Sequence, residues 1–522
     1  MKEREGNRKM AGNGRQQKAG AERGRRRLFE IQRAGEGDDY EKRNQGERRQ
    51  EKEAKTGNVQ IMLLTYVVVG VFLCLIGYFS WFMVAKSEKV INHPSNTLHE
   101  ALAKKIRKGK ILSSDHKVLA KTKTDSGGQD TREYPYGKMF CHVVGRNSNS
   151  MTGLERAFCY TMLRSHISPV SQLVDTFRGE KSPGDNIVTT LDYGLQRAAY
   201  DALGEHKGAV VAIEPATGKI LAMVSKPAYD PNTVSADWDS LVNEEDEDSK
   251  LVNRATQGLY PPGSTFKIMT AMEYLLENPG KSDSFSYLCK GSDSFSGNVI
   301  NCYNKEQHGT LSLESAFAKS CNGAFAKIGT ELNLTRFKKL TERFYFNKSL
   351  SVDFEYNKSR FSLNKNSDMG EITQTAIGQG KTLITPLENA LIAATIANGG
   401  VMMTPYLVDH VESDTGDEVK AFEPEEKGTP VKKEVAEKIA ELMKGVVKNG
   451  TGSSLGTLSY EVAGKTGSAE FDSEGTSHAW FVGYAPADQP KIAVSVVAEG
   501  AGTGSQYAVP IAKSMFEAYL GH

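Results

Sequence analysis

The sequence has almost no net charge. Its 65 Lys and Arg residues nearly balance 64 Asp and Glu residues, which leaves a formal charge of +1 at pH 7. Proteins whose main partner is a nucleic acid carry a basic surface and a recognisable motif. We find neither, so we expect no nucleic-acid partner.

Cysteine is also scarce, with six residues among 522. This number is too small for a disulfide scaffold at this length. No two cysteines form a CxxC pair, and the ten histidines show no common zinc-ligand spacing. We therefore expect no metal and no other cofactor.

Long apolar runs are absent except for one, at residues 58–85. Its uncharged core of about 26 residues exceeds the ~20 that a membrane-spanning helix needs. A cleaved signal peptide has a shorter apolar core and a small-x-small exit, and a buried core helix is rarely so uniformly apolar. The run predicts a transmembrane anchor.

The segment before the anchor is basic and poor in apolar side chains. Residues 1–57 contain 17 Lys and Arg against 11 Asp and Glu. This composition predicts a disordered tail, and the positive-inside rule places it in the cytoplasm. We therefore expect a single-pass cell-membrane protein whose remaining chain is extracytoplasmic.

The exported part divides at about residue 185. Residues 86–185 begin polar and lysine-rich, which predicts a stalk followed by a small N-terminal module. Two phrases of that module, RxYPxG from Arg132 and TGLE from Thr152, indicate no chemistry by residue type. Residues 186–522 have strand patterns early and late with helical patterns between, which predicts a mixed sheet between helices.

Three short motifs in this last region combine nucleophiles, amines and amides. Ser264 and Lys267 follow a Pro-Pro-Gly break and precede a helical pattern, so they share one helix face. The alternative is an N-cap serine and a lysine that only snorkels to solvent.

The second motif, Ser320-Cys321-Asn322, lies between two helical patterns and suits capping equally well. The third, Lys465 to Ser468 (KTGS), begins a strand pattern. Each motif alone is weak, since Ser114 and Lys117 repeat the first by chance.

Together the three motifs resemble those of penicillin-binding proteins, the serine acyltransferases that cross-link peptidoglycan. The phrases PATGKILAMVSKPAYDPN, TPLENA and HAWFVGYAP resemble the transpeptidase domain of that family. RxYPxG and TGLE resemble the N-terminal module of its class B, monofunctional branch.

The resemblance implies a mixed α/β fold in which a mainly antiparallel sheet lies between helical layers. This penicillin-binding transpeptidase domain would cover residues 186–522. A pedestal-like or dimerisation-like module at 86–185 and the anchor would precede it.

The resemblance also implies roles for the first two motifs. Ser264 attacks the carbonyl between two D-alanines of a stem peptide, and Lys267 takes its proton. Lys267 can act as a base only when neutral, and burial and the nearby cation of Lys465 are expected to lower its pKa. Ser320 relays a proton to the leaving amine, and Asn322 holds a substrate amide or Lys267.

The third motif is expected to bind the substrate. Lys465 and Thr466 bind its terminal carboxylate beside Gly467, and the backbone N–H groups of Ser264 and Ser468 form an oxyanion hole. Stem peptides and β-lactam antibiotics are the expected ligands. A monofunctional transpeptidase makes no glycan strands, so the expected partner is a membrane glycan polymerase of the shape, division or sporulation type.

Related enzymes share this acyl-enzyme chemistry. A D,D-carboxypeptidase and a β-lactamase differ in what attacks the acyl group, and a class A β-lactamase needs a glutamate to activate water. Glu355 alone does not supply the segment expected after Asn322. A non-catalytic β-lactam sensor or scaffold is the alternative outside enzymes.

The cysteines of the exported domain suggest one bridge. Cys289 and Cys302 flank a Gly/Ser-rich loop outside the membrane, and two cysteines that close such a short span can pair. We predict a disulfide between them. Cys321 is expected to be buried and unreactive.

Overall fold

The computed structural model of the chain describes residues 11–86, 98–243, 248–470 and 476–521. The chain divides into two compact units, residues 1–88 and residues 89–522. In the first unit, helix α1 runs from Ala11 to Ala85. Among the described residues, it contains the one helical stretch long and apolar enough to cross a membrane.

Helix α1 also includes most of the tail for which the sequence predicts disorder. Residues 11–57 are helical, and residues 1–10 lie outside the described residues. The tail has no proline and many Arg, Glu, Lys and Gln residues, which favour helices. It also extends an existing apolar helix and needs no new nucleation. The prediction of disorder therefore fails for residues 11–57.

The first part of the second unit consists of short helices and strands. In chain order they are α2 (Leu98–Ala103), β1 (Ile106–Arg107), β2 (Ile111–Leu112), β3 (Val118–Thr124), β4 (Asp130–Glu133), α3 (Cys141–Val144), α4 (Gly153–Ala157), α5 (Cys159–Met162), α6 (Pro169–Arg178) and β5 (Ser182–Pro183). The predicted stalk thus contains strands from Ile106 onward, and its residues 87–97 lie outside the described residues.

The remaining helices of this unit include one pair that flanks the second motif. They are α7 (Tyr193–Leu203), α8 (Trp238–Val242), α9 (Lys267–Glu277), α10 (Leu313–Ala318), α11 (Asn322–Glu331), α12 (Leu334–Arg343), α13 (Met369–Ala376), α14 (Pro386–Ala397), α15 (Lys433–Asn449) and α16 (Val509–Leu520).

The remaining strands fall into a central sheet, a second sheet and short hairpins. They are β6 (Asn186–Thr189), β7 (Gly208–Ile213), β8 (Ile220–Lys226), β9 (Tyr287–Cys289), β10 (Ser292–Phe295), β11 (Asn298–Asn301), β12 (Gly309–Leu311), β13 (Met402–Met403), β14 (Val408–Glu412), β15 (Glu418–Ala421), β16 (Glu426–Gly428), β17 (Ala463–Glu470), β18 (Ser477–Ala485) and β19 (Ile492–Ala498).

The central sheet has five strands in the order β17-β18-β19-β7-β8, and every neighbouring pair is antiparallel. Because side chains alternate between faces of a strand, Val210 packs with helices α7 and α16. Val211 packs in the core that contains α14. Helix α14 is buried from Pro386 to Ile396. The expected antiparallel sheet between helical layers is confirmed.

The second sheet joins distant parts of the chain. Its order is β15-β14-β6-β2-β3-β4, and β6 pairs in parallel with β2 and antiparallel with β14. The boundary predicted at 185/186 therefore falls inside a shared sheet. The two predicted regions are continuous in structure, because backbone hydrogen bonds of the sheet cross that boundary.

Candidate active site

The serine of the first motif lies on a tight turn before helix α9. Gly263–Phe266 form a 3₁₀ turn and α9 begins at Lys267, so Ser264 precedes the helix that the sequence predicts it to open. Gly263 has a φ of +54°, and a Cβ there would lie 2.8 Å from the carbonyl oxygen of Ser468. The absence of a side chain lets this turn lie against strand β17.

The amine of Lys267 is fully buried and points to the second motif. Its Nζ donates to Ser320 O at 2.6 Å, to Asn322 Oδ1 at 2.7 Å and to Ser320 Oγ at 3.2 Å. Among the hydrogen bonds of the described residues, none joins Nζ to Ser264 Oγ. Such bonds often form only once substrate is bound.

The second motif links helices α10 and α11. Ser320 has a φ of +56°, a conformation that costs a non-glycine residue about 1 kcal/mol or more. Cys321 occupies the N-cap position of α11 and makes no side-chain capping bond. The Asn322 amide instead donates to Asn301 O at 2.8 Å. The side chains of Ser320 and Asn322 therefore serve contacts with Lys267, not the capping of α11.

The third motif is the middle of strand β17. Lys465 is fully buried, and its Nζ donates to Ser320 Oγ at 2.9 Å and to Thr466 O at 3.1 Å. A Cβ at Gly467 would lie 3.1 Å from Thr265 Cγ2, so this glycine lets the strand approach the Ser264 turn. Ser468 Oγ accepts a bond from the Gly504 N–H at 3.4 Å.

Two buried amines thus share one hydroxyl, Ser320 Oγ. Burial lowers the pKa of Lys267 to about 8, against the opposing effect of the Cys321 and Cys302 thiols. Burial, and then the charge of Lys267, lower the pKa of Lys465 well below its usual range. The sequence leads us to expect that burial and the charge of Lys465 together lower the pKa of Lys267. The structure supports burial as the cause. An amine at this site can be neutral near physiological pH.

Several residues at the site lie outside the three motifs. Thr451 Oγ1 lies 2.5 Å from Thr466 Oγ1, and its Asn-Gly-Thr-Gly turn is the only available hint. Trp480 Nε1 donates to Pro261 O at 3.1 Å and fixes the segment before Ser264. Glu499 accepts from Tyr260 OH at 2.6 Å and pairs with Arg254 at 2.8 Å.

The predicted disulfide is not formed. The Sγ atoms of Cys289 and Cys302 are 3.6 Å apart and both cysteines are free. Cys321 is fully buried, as the sequence predicts, and its Sγ lies 3.6 Å from that of Cys302. His308 joins these three cysteines, and one candidate ligand atom from each of the four residues lies within 4.8 Å of the others. The four residues come from separate segments, so no short spacing reveals them.

Comparison with known proteins agrees with this geometry. Residues 208–517 match the family model described as penicillin binding protein transpeptidase domain. The chain is 33% identical over 443 residues to peptidoglycan D,D-transpeptidase PbpA of Mycolicibacterium smegmatis, covering 79% of this chain and 89% of that protein.

Two solved structures are similar across the same region. The crystal structure of PBPA from Mycobacterium tuberculosis has a TM-score of 0.73 and 32% identity, covering 79% of this chain and 99% of that one. The imipenem acyl-enzyme complex of penicillin-binding protein A from M. tuberculosis has a TM-score of 0.74 and 32% identity, covering 80% and 99%. The chain therefore belongs to the penicillin-binding protein transpeptidase family.

Proposed function

We propose that the chain is a peptidoglycan D,D-transpeptidase that cross-links stem peptides through an acyl-enzyme on Ser264. The observation that carries the proposal is the convergence of the Lys267 and Lys465 amines on Ser320 Oγ. The Ser264 turn directly precedes Lys267 and lies against Gly467 and Ser468 of the third motif. An activated hydroxyl, a base and a proton relay are the parts that acyl transfer requires.

Acylation begins when Ser264 Oγ attacks the carbonyl carbon between the two D-alanines. Neutral Lys267 takes the hydroxyl proton, and its lowered pKa supports this role. The backbone N–H groups of Ser264 and Ser468 stabilise the oxyanion. The close approach of Gly263 to Ser468 supports this pairing.

The tetrahedral intermediate then loses D-alanine. Ser320 gives its proton to the leaving nitrogen and regains one from the lysine amines that donate to it. The C–N bond breaks and an ester with Ser264 remains. Lys465 and Thr466 hold the terminal carboxylate of the substrate, because the arriving anion favours the protonated form of the Lys465 amine and a hydroxyl can donate to it.

The amine of a second stem peptide completes the reaction. It attacks the ester carbonyl, loses a proton through Lys267, and displaces Ser264 Oγ, which is reprotonated. The product is the cross-link. A β-lactam would acylate Ser264 by the same attack and remain bound as an ester.

Fluorescent penicillin labelling of the full chain tests the nucleophile. We expect Ser264→Ala to abolish labelling. The matched control is Ser114→Ala, since Ser114 also begins an SxxK sequence but lies exposed in the N-terminal module. Labelling of Ser264→Ala, or failure of the wild type to label, would refute the proposal.

The nature of the attacking group needs a product assay. Given a stem-peptide donor and a D-amino acid acceptor, a transpeptidase forms the exchanged peptide. A D,D-carboxypeptidase forms only the hydrolysed peptide, and a β-lactamase releases hydrolysed penicillin. Glu355 forms an ion pair with Arg156 of the N-terminal module, which argues against a role for this acid in activating water for deacylation.

We also propose that residues 58–85 form a single-pass anchor with a cytoplasmic N-terminus, and that the anchor and the module at 130–182 bind a membrane glycan polymerase. The apolar stretch of α1 supports the anchor. Cysteines introduced into the tail should stay unlabelled when intact cells are treated with a thiol reagent that cannot cross membranes.

The polymerase should co-purify with the chain, and it should be lost when an unrelated apolar helix replaces residues 58–85.

A further inference from the structure

Three cysteines and one histidine converge behind the second motif. Cys302 Sγ lies 3.6 Å from the Sγ atoms of both Cys289 and Cys321. His308 Nδ1 lies 3.3 Å from Cys289 Sγ. All four candidate ligand atoms are within 4.8 Å of one another. Each residue thus presents one soft or borderline ligand atom to a common centre.

These separations match a tetrahedral zinc site. Zn–S bonds of about 2.3 Å and Zn–N bonds of about 2.0 Å place sulfur atoms about 3.8 Å apart and sulfur and nitrogen about 3.5 Å apart. The observed 3.6, 3.6 and 3.3 Å are close to those edges. The widest separation, at most 4.8 Å, needs a movement of about 1 Å to close the tetrahedron.

The surroundings suit a structural metal. The cysteines are at most 5% exposed, and the His308 side chain is 6% exposed. His308 Nε2 faces the Glu306 carboxylate at 3.7 Å, the outer partner that commonly orients a ligating imidazole. Backbone N–H groups of Asn322 and Gly323 face Cys302 Sγ, and such donors stabilise a bound thiolate.

A disulfide accounts for these residues less well. An S–S bond requires about 2.05 Å, and Cys302 is equally distant from two possible partners. Any single bridge would leave one cysteine and the histidine unused. The three-thiol, one-imidazole set is instead among the closed ligand sets of structural zinc.

We propose that one Zn²⁺ binds here in a closed Cys₃His site formed by Cys289, Cys302, His308 and Cys321. The three thiols lose their protons to solvent, and neutral His308 binds through Nδ1. The metal joins the β9–β12 insertion to the N-terminus of α11. It is structural, with no open position for substrate.

The site positions the second motif from two sides. Cys321 lies between Ser320 and Asn322 in the chain. Cys302 follows Asn301, whose carbonyl holds the Asn322 amide at 2.8 Å. The metal ligands are therefore positioning residues, and this part of the inference rests on the proposed function, whereas zinc binding does not.

Metal analysis of the full chain, purified in detergent with reductant and supplied zinc, tests the site. We expect about one zinc per chain, lost in Cys321→Ser and His308→Ala. The control Cys159→Ser, a buried cysteine outside the group, should keep it. Replacement by Co²⁺ should give the intense visible bands of a tetrahedral thiolate site. No bound zinc in the wild type, or a mapped Cys289–Cys302 disulfide, would overturn the proposal.

A rescue experiment tests the positioning role. We expect His308→Ala to slow penicillin acylation at least tenfold, and His308→Cys, which restores four ligands, to recover both zinc and acylation. Recovery of acylation without zinc would overturn the positioning role. A wild type that binds zinc but never labels would refute the proposed function and leave the metal site intact.

Discussion

The hydroxyl of Ser320 links the two lysine amines of the candidate active site. One hydroxyl accepts hydrogen bonds from two buried amines, at 3.2 Å from Lys267 and 2.9 Å from Lys465. Its left-handed backbone, with φ of +56°, aims the side chain between them. Two adjacent ammonium groups repel each other in a buried site. The arrangement therefore favours one neutral amine, as the proposed role of Lys267 as general base requires.

The pH dependence of acylation follows from Lys267. Its pKa of about 8 lies below the usual lysine value, so the neutral form is the minor species at pH 7 and the major one at pH 9. We expect the second-order rate of penicillin acylation to rise about tenfold between these pH values. Stopped-flow labelling measures it. A rate that is flat across this range would show that Lys267 is not the base.

Thr451 should affect substrate binding through Thr466. Its hydroxyl is hydrogen-bonded to that of Thr466, which is proposed to bind the substrate carboxylate. Loss of one such bond in Thr451→Val costs about 0.5–1.5 kcal/mol, a factor of about 2–12. We expect the acylation rate at subsaturating penicillin to fall by this factor. Thr457→Val, on an exposed turn nearby, should leave the rate unchanged.

At the scale of elements, sequence reasoning succeeds where contacts are local. Ser264 and Lys267 are three residues apart, so periodicity alone places them on adjacent turns. The meeting of Lys465 with Ser320 spans 145 residues and depends on strand order, which only the family resemblance supplies. The Cys302–Cys321 contact depends on how the β9–β12 insertion folds back onto α11. No local pattern encodes that packing.

The Ser264 turn depends on the absence of a side chain at Gly263. We expect Gly263→Ala to lower the unfolding free energy by about 2–4 kcal/mol, because strain at positive φ adds to a clash with the strand backbone. Gly280→Ala is the matched control, since its φ is +72° and nothing lies within 4 Å of its added Cβ. It should cost about 1 kcal/mol. Thermal unfolding measures the stability of both variants, and penicillin labelling shows whether the Ser264 turn still functions. Equal losses of stability in the two variants would contradict this account.

At the scale of the whole molecule, a buried ion network holds the N-terminal module together. Glu155, fully buried, pairs with Arg132 at 2.7 Å and with Lys108 at 2.6 Å. Arg132 and Glu155 belong to the RxYPxG and TGLE phrases, to which the sequence assigns no chemistry. Their role is to join β4, α4 and the chain before β2. Burial alone would raise the pKa of Glu155, but the two cations hold it below its ordinary value.

Removal of this buried charge should destabilise the protein strongly. We expect Glu155→Gln to cost about 3–5 kcal/mol, since two cations lose their partner. Glu355→Gln, which breaks an exposed pair with Arg156, should cost less than about 1 kcal/mol. Because the pKa of Glu155 is lowered, its stabilisation is complete at neutral pH and disappears as pH falls through the folded value. Chemical denaturation at pH 7 and in acid measures both effects.

The shared sheet has a consequence for the order of folding. Strand β6 needs β2, about 75 residues earlier, and β14, about 220 residues later. While the chain is being synthesised from its N-terminus, one edge of β6 stays open until residue 412 has emerged. Unpaired strand edges promote aggregation, and contacts this distant form slowly. The N-terminal module is thus completed late, and until then it is the part most dependent on protection by chaperones.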